Sequence, residues 1–138
     1  NHQRQLPRVK TIDYFMAILL QPLIKGSDAD DVLYHNDNAI CECPRSNFFI
    51  VNENDEVLTH SKNVLRGITR KKILCFSEFN IKEADIHLKD IENAKEAFIT
   101  STTKNVLPVL KIHGKTIGDG KPGKITTKIY EKLVEIKE

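Results

Sequence analysis

The chain has 138 residues, of which 40% are hydrophobic, enough for one domain with a real core and too few for two. Its formal net charge of +2 gives no global field that would attract nucleic acid or an anionic membrane surface, so neither is expected as a partner. No apolar run reaches membrane-spanning length, and the odd count of three cysteines favours a reducing, cytoplasmic setting over a disulfide framework.

The first predicted element is an amphipathic helix that follows Lys10. Apolar residues recur at helical spacing between positions 12 and 23 and form one stripe, and Pro22 is expected to kink or end the helix. Lys10 would then stand at the edge of the core, where a neutral amine is tolerated.

Short strands are predicted next, at 31–35, 39–43 and 47–52, with a hairpin completed at 57–59. The continuous apolar run in the third strand indicates that both of its faces are buried. A second helix is predicted from about 69 to 79.

The second half of the chain alternates strands and helices. The predicted elements are a strand at 83–87, a short acidic helix at 88–93, strands at 97–100 and 106–112, a loop at 118–123 and a last helix that buries Ile125, Ile129, Leu133 and Ile136. Pro108 places its strand at an edge or a bulge. The pattern as a whole predicts one α/β domain with a mixed sheet and intervening helices.

Glu42 lies in a predicted strand between two cysteines. Because side chains alternate along a strand, Cys41 and Cys43 can pack as small apolar residues while the carboxylate points the other way. A buried carboxylate needs a partner, and a protonated ring nitrogen is one such partner. The alternative is an exposed glutamate on a half-buried strand.

Basic residues crowd the start of the second predicted helix, namely Arg66, Arg70, Lys71 and Lys72. Cations there are unfavourable, because the helix start carries a partial positive charge. A bound anion would make them favourable, and the free N–H groups of a helix start bind phosphate. Gly67 allows close approach, and Thr69 offers a hydroxyl as well as its amide. The alternative is an N-cap at Thr69 followed by solvated cations.

A second cluster of donors follows an apolar strand at residues 100–103, Thr-Ser-Thr-Thr. Strand ends rich in hydroxyls and amides are common ligand contacts in α/β sheets. The alternative is a polar turn whose side chains cap their own backbone. Cys41 and Cys43 lack a second ligand pair at a suitable spacing, so no metal site is predicted.

These segments, in this order, resemble the class IV aminotransferases, the fold-type IV pyridoxal-phosphate enzymes. The resemblance rests on Lys10 before its helix, Glu42 followed by Ser-Asn-Phe-Phe, Leu-Arg-Gly-Ile-Thr-Arg at 65–70, Phe-Ile-Thr-Ser-Thr-Thr at 98–103, and Ile-Gly-Asp-Gly-Lys-Pro-Gly at 117–123. It spans nearly the whole chain. It implies an α/β (α+β) fold, a mixed-sheet pseudo-barrel with packed helices, as in the cofactor domain of D-amino-acid aminotransferases.

The resemblance also implies roles for particular residues. Lys10 matches the lysine that forms the internal Schiff base with pyridoxal 5'-phosphate and then shuttles the proton of the substrate. Glu42 matches the carboxylate that faces the pyridine nitrogen and keeps the ring protonated. Tyr14 matches a residue near the cofactor, although its spacing from Lys10 is one residue shorter than in branched-chain aminotransferases.

The remaining matches concern phosphate and substrate. Ile68 and Thr69 match the backbone amides that hold the cofactor phosphate, with Gly67 beside them. Thr102 matches a hydroxyl donor to the phosphate. Thr102 and Thr103 match the amides that face the substrate carboxylate.

The whole chain, 1–138, is therefore expected to be the larger, C-terminal cofactor-binding domain. A smaller N-terminal domain of the family has no counterpart in it, and the start at Asn1 suggests a fragment that is weakly active or inactive alone. The expected substrates are an amino acid, D or branched-chain, and a 2-oxo acid, and the expected assembly is a homodimer. Two alternatives remain: bond cleavage on the same cofactor, as in aminodeoxychorismate lyase, and a non-catalytic relative.

Overall fold

The structure is a computed structural model that describes residues 1–12 and 14–136. A mixed β-sheet lies at its centre. The strands are β1 (His35–Asn36), β2 (Ala39–Ile40), β3 (Glu42–Cys43), β4 (Ser46–Val51), β5 (Val57–His60), β6 (Ile81–Ala84), β7 (Glu96–Ser101), β8 (Asn105–Pro108), β9 (Lys111–Ile112) and β10 (Lys115–Thr116). The helices are α1 (Phe15–Leu19), α2 (Gln21–Lys25), α3 (Ile68–Leu74), a 3-10 helix (Leu88–Asn93) and α4 (Lys124–Glu135).

The main sheet has the strand order β6-β5-β4-β7-β8, and β3 pairs with the start of β4. The β5 and β6 strands run parallel, whereas β4 is antiparallel to β3, β5 and β7. The expected mixed sheet with packed helices is therefore confirmed. Strands β1 and β2 form one small hairpin, and β9 and β10 form another.

Both faces of β4 are buried, as its continuous apolar run predicts. Phe48 and Ile50 face one core cluster, while Phe49 and Val51 face a second cluster on the other side of the sheet. Phe49 stacks on Phe98 of β7, with ring centroids 4.8 Å apart. Helices α3 and α4 pack on the second face. The segment just before α3 lies beside β3, because the Leu65 N–H binds Glu42.

The first turn of helix α4 is hydrogen-bonded to a carboxylate of strand β7. Glu96 of β7 accepts hydrogen bonds from the N–H of Ile125 at 3.0 Å, and from both the N–H and the hydroxyl of Thr126 at 2.7 Å. Its negative charge also complements the helix dipole. Gly123 is required here because a Cβ would lie 1.9 Å from the Glu96 carboxyl carbon.

Glu96→Ala is expected to destabilise the protein by about 2 kcal/mol, since it removes three hydrogen bonds to a charged acceptor and leaves N–H groups of the helix start unpaired. Urea unfolding followed by circular dichroism measures the loss. The matched control is Glu131→Ala, which removes an exposed carboxylate from the same helix and should change stability by less than about 0.5 kcal/mol. Equal effects of the two substitutions would contradict this role of Glu96.

The prediction of one buried helical stripe after Lys10 is wrong. The segment forms two five-residue helices, and Pro22 lies inside the first turn of α2, where proline is tolerated. Neither helix has a buried residue; Ile12 is 95% exposed and Phe15 is 67% exposed. No helix within the described residues combines the length and apolar character needed to cross a lipid bilayer.

Other boundaries differ from the predictions by a few residues. Helix α3 ends at Leu74, not near residue 79, and Ile136 is exposed after the end of α4. The strand expected at 106–112 is divided into β8 and β9. Pro108 is the last residue of β8, which is an edge strand, as predicted.

Candidate functional site

A buried carboxylate marks one end of the sheet. Glu42 is 3% exposed, and its neighbours Cys41 and Cys43 pack into two apolar clusters, as the alternation along the strand predicts. Oε2 of Glu42 accepts hydrogen bonds from the Leu65 N–H at 3.0 Å and from Nδ2 of Asn47 at 3.3 Å. Oε1 accepts one from Nη1 of Arg4 at 3.2 Å.

The pKa of Glu42 reflects two opposing influences. Burial, the larger, raises it above the ordinary value, while the Leu65 N–H and the Arg4 guanidinium act to lower it. Burial also raises the pKa of the adjacent Cys43 thiol to about 12, so Cys43 is a neutral packing residue at physiological pH. Glu42 is therefore the acidic group of β3 that can pair with a cation.

A row of polar side chains extends from Glu42 across the sheet. The register pairs Glu42 with Asn47 of β4, and Asn47 with Thr100 of β7, so all three lie on one face. Thr100 is 1% exposed, and its hydroxyl has no hydrogen-bond partner among the described residues. The hydrogen-bonding capacity of this buried hydroxyl is therefore unused within the described residues.

The start of helix α3 lies against this row. Gly67 is the N-cap residue, and a Cβ on it would be 2.4 Å from Oδ1 of Asn47, so only glycine allows this close approach. Ile68 and Thr69 open the helix, where backbone N–H groups lack intrahelical acceptors. Thr69 is buried, whereas the Ile68 side chain is 71% exposed. The structure thus brings Glu42 and residues 67–69 to one place.

Arg4 connects Glu42 to the segment that carries Lys10. While Nη1 of Arg4 binds Glu42, its Nη2 donates to the carbonyl oxygen of Val9 at 2.9 Å. The side chain of Lys10 is exposed. The expectation that it lies at the edge of a buried helical stripe is therefore wrong, although the preceding residue, Val9, is linked to Glu42 through Arg4.

A cavity of about 350 Å³ opens beside this link. Its lining includes Arg4, Thr11, Tyr14, Tyr34 and Pro44. Tyr14 thus faces the space between the Lys10 segment and the β3–β4 turn. The guanidinium carbon of Arg45, in that turn, lies 4.7 Å from the centre of the Tyr14 ring, within range of a cation–π contact.

The second predicted donor cluster forms the turn between β7 and β8. Ser101 caps this turn, because its hydroxyl accepts the Lys104 N–H at 3.0 Å and lies 3.3 Å from the Thr103 hydroxyl. Ser101 therefore matches the alternative interpretation, a polar turn whose side chains cap their own backbone. Thr102 and Thr103 are exposed at the end of β7 that lies beside the first residues of β4.

The basic cluster at α3 is only partly available to an anion. Arg70 is 2% exposed, and its guanidinium binds the carbonyl oxygen of His60 at 2.9 Å and the carboxylate of Glu83 at 2.5 Å. These contacts link strand β5 to strand β6. The expectation that Arg70 is one of the cations around a bound anion is therefore wrong. Thr69 is also not the N-cap, since Gly67 holds that position.

Among the residues of the site, Arg4 lies outside every sequence motif noted above. Asn47 and Leu65 fall within those motifs without a role of their own, and Thr100 belongs to the predicted donor cluster at 100–103. Within the part of the chain that the structure describes, no three His, Cys, Asp or Glu side chains are grouped as metal ligands.

Known proteins are similar to this chain in sequence and in fold. The family model of amino-transferase class IV matches residues 1–112. The D-alanine aminotransferase of Listeria monocytogenes serotype 4b (strain F2365) is 36% identical over 133 residues, which cover 92% of this chain and 45% of that protein. The branched-chain-amino-acid aminotransferase-like protein 1 of Arabidopsis thaliana is 33% identical and covers 78% of this chain and 20% of its own length.

Solved structures agree with the fold. A Legionella pneumophila protein assigned as a 4-amino-4-deoxychorismate lyase superposes with a TM-score of 0.87 at 25% identity, over 98% of this chain and 53% of that one. The branched-chain amino acid aminotransferase of Thermobaculum terrenum, in its PLP form, gives a TM-score of 0.83 at 24% identity, over 94% and 45%. The chain spans about half the length of the Listeria and Legionella relatives and a fifth of the Arabidopsis one.

Proposed function

The chain belongs to the class IV aminotransferase family, and we propose that it forms the cofactor-binding domain of a pyridoxal-phosphate-dependent aminotransferase. The single observation that carries this proposal is the buried carboxylate of Glu42, held by three N–H donors beside the start of helix α3. A carboxyl group fixed in this way is suited to face a cationic ring nitrogen, because its position is set before the ligand arrives and the cation would favour its charged form.

The chemistry of the donor set fits pyridoxal 5'-phosphate. Glu42 would hold the pyridine nitrogen, and the amides of Ile68 and Thr69, with Gly67 giving close approach, would hold the phosphate. The free hydroxyl of Thr100 and the exposed Thr102 offer further donors at the same end of the sheet. When bound, the cofactor supplies an electron sink for the substrate's α-carbon.

The residues of this chain would divide the remaining work. Lys10, exposed before α1, can act as nucleophile and then as base, because a primary amine serves both roles once it loses its proton. Tyr14 lines the cavity beside it and would limit the space open to water. Thr102 and Thr103, exposed in the turn after β7, would offer their amides to a substrate carboxylate.

We propose that the substrates are an amino acid and a 2-oxo acid, and that the complete enzyme is a homodimer in the cytoplasm. The relatives named above support D-alanine and branched-chain amino acids as first candidates. All three cysteines are free thiols, which supports a reducing compartment. A lyase remains the second candidate, since the Legionella protein assigned to that class covers nearly the whole chain.

The proposal is tested with the full-length protein that carries this chain, loaded with pyridoxal phosphate. Each candidate amino acid is mixed with it without an oxo acid, and the absorption of the bound cofactor is followed. An aminotransferase converts the cofactor to its amino form and yields one equivalent of oxo acid. Release of pyruvate from aminodeoxychorismate without any acceptor would assign the lyase activity. No change with any amino acid, together with no pyruvate release, would defeat both candidates.

A further inference from the structure

Asn47 lies between the two parts of the candidate site. It is 5% exposed, in the first half of β4, and its Nδ2 donates to the carbonyl oxygen of Leu65 at 2.6 Å and to Oε2 of Glu42 at 3.3 Å. The Leu65 N–H donates to that same Glu42 oxygen at 3.0 Å. One side-chain amide and one peptide unit therefore hold a single carboxylate oxygen.

The other side of the Asn47 amide is in contact with Gly67. A Cβ on Gly67 would be 2.4 Å from Oδ1 of Asn47 and 3.6 Å from its amide carbon. The first distance is too short for two atoms that are not bonded, so a side chain at position 67 would force the Asn47 amide to move. The amide thus fills the space between Glu42 and the N-cap of α3. The Asn47 side chain is therefore in contact with both Glu42 and the 65–67 segment.

We propose that Asn47 is a positioning residue that fixes the separation between the Glu42 carboxylate and the 65–67 segment, and so couples the two ends of the cofactor. The inference rests on the proposed function, which assigns the ring nitrogen to Glu42 and the phosphate to residues 67–69. Asn47 itself need not touch the cofactor. Binding of both ends at once requires that their separation match the ligand, which is a condition of preorganisation.

The test is a double-substitution cycle in the full-length protein. The variants are Asn47→Ala, Gly67→Ala and the two together, and the matched control is Thr59→Val. Thr59 is 1% exposed, and its hydroxyl donates to the Phe48 carbonyl at 2.9 Å, so the control also loses a buried hydrogen bond in the same sheet. The readouts are the dissociation constant of pyridoxal phosphate and the pH dependence of the bound cofactor's absorption.

Each single substitution is expected to weaken cofactor binding about 10- to 100-fold, and the double variant no more than either single one, because the clash that Gly67→Ala introduces depends on the Asn47 amide. The absorption profile should shift in pH for Asn47→Ala and stay unchanged for Thr59→Val. If Asn47→Ala does not fold, Asn47→Asp keeps the shape but sets an oxygen against the Leu65 carbonyl and Glu42, and the same loss is expected.

Two results would overturn the inference: binding by the Asn47 variants within twofold of wild type, or losses that multiply in the double variant as for independent residues. Both leave the proposed function intact. Failure of the wild-type protein to bind pyridoxal phosphate at Lys10 would instead remove the proposed function, and the positioning role with it.

Discussion

Lys10→Ala in the full-length protein is expected to lower amino transfer at least about 10⁴-fold, because the substitution removes both the nucleophile and the proton-transferring base. Binding of pyridoxal phosphate should persist through Glu42 and the start of α3, without a covalent link. Single-turnover absorbance with a competent amino acid measures the rate, and equilibrium dialysis measures the remaining affinity.

The matched control is Lys25→Ala, which removes an exposed lysine at the end of α2. It should leave the rate within twofold of wild type. A Lys10→Ala variant that retains a tenth of the wild-type rate would show that another group performs the proton transfer.

Glu42→Gln is expected to lower the same rate about 10²- to 10³-fold, since a neutral amide cannot favour the protonated ring. The side chain keeps its size and one carbonyl oxygen for the Leu65 N–H, so the affinity for the cofactor should change less than about tenfold. Glu53→Gln, in the exposed β4–β5 turn, is the control. An unchanged rate and an unchanged cofactor spectrum in Glu42→Gln would contradict the assigned role.

The same substitution has a defined effect on stability in the cofactor-free protein. Because burial raises the pKa of Glu42, the folded state binds this proton more tightly than the unfolded chain does. Its contribution to stability is therefore greatest below the ordinary pKa of Glu and is lost as pH rises through the raised pKa. Urea unfolding of wild type and Glu42→Gln across that pH window measures this contribution. A stability difference between the two proteins that is constant with pH would contradict the predicted fall.

Local patterning was sufficient for Glu42 and for β4. A period of two residues places a carboxylate opposite two cysteines, and an unbroken apolar run buries both faces of a strand. The burial of β4 is confirmed, and of the two possibilities left open for Glu42 the structure has the buried one. The mixed sheet followed from the alternation of strand and helix signals.

The contacts that complete the site could not be predicted in this way. Arg4 lies 38 residues from Glu42, and Leu65 lies 23 residues from it, so no local pattern records either hydrogen bond. Arg70 illustrates the same limit: Lys71 and Lys72 after it are exposed, but the fold pairs Arg70 with Glu83. The apolar stripe around Phe15 predicts core, although periodicity says only that one face is apolar and not what covers it.

The most direct measurement of the central claim is borohydride reduction of the full-length protein after incubation with pyridoxal phosphate, followed by peptide mass spectrometry. The predicted result is a single pyridoxyl adduct on the peptide that contains Lys10, absent from Lys10→Ala. Adducts spread over the surface lysines, at equal levels in both proteins, would contradict a formed cofactor site at Lys10 and Glu42.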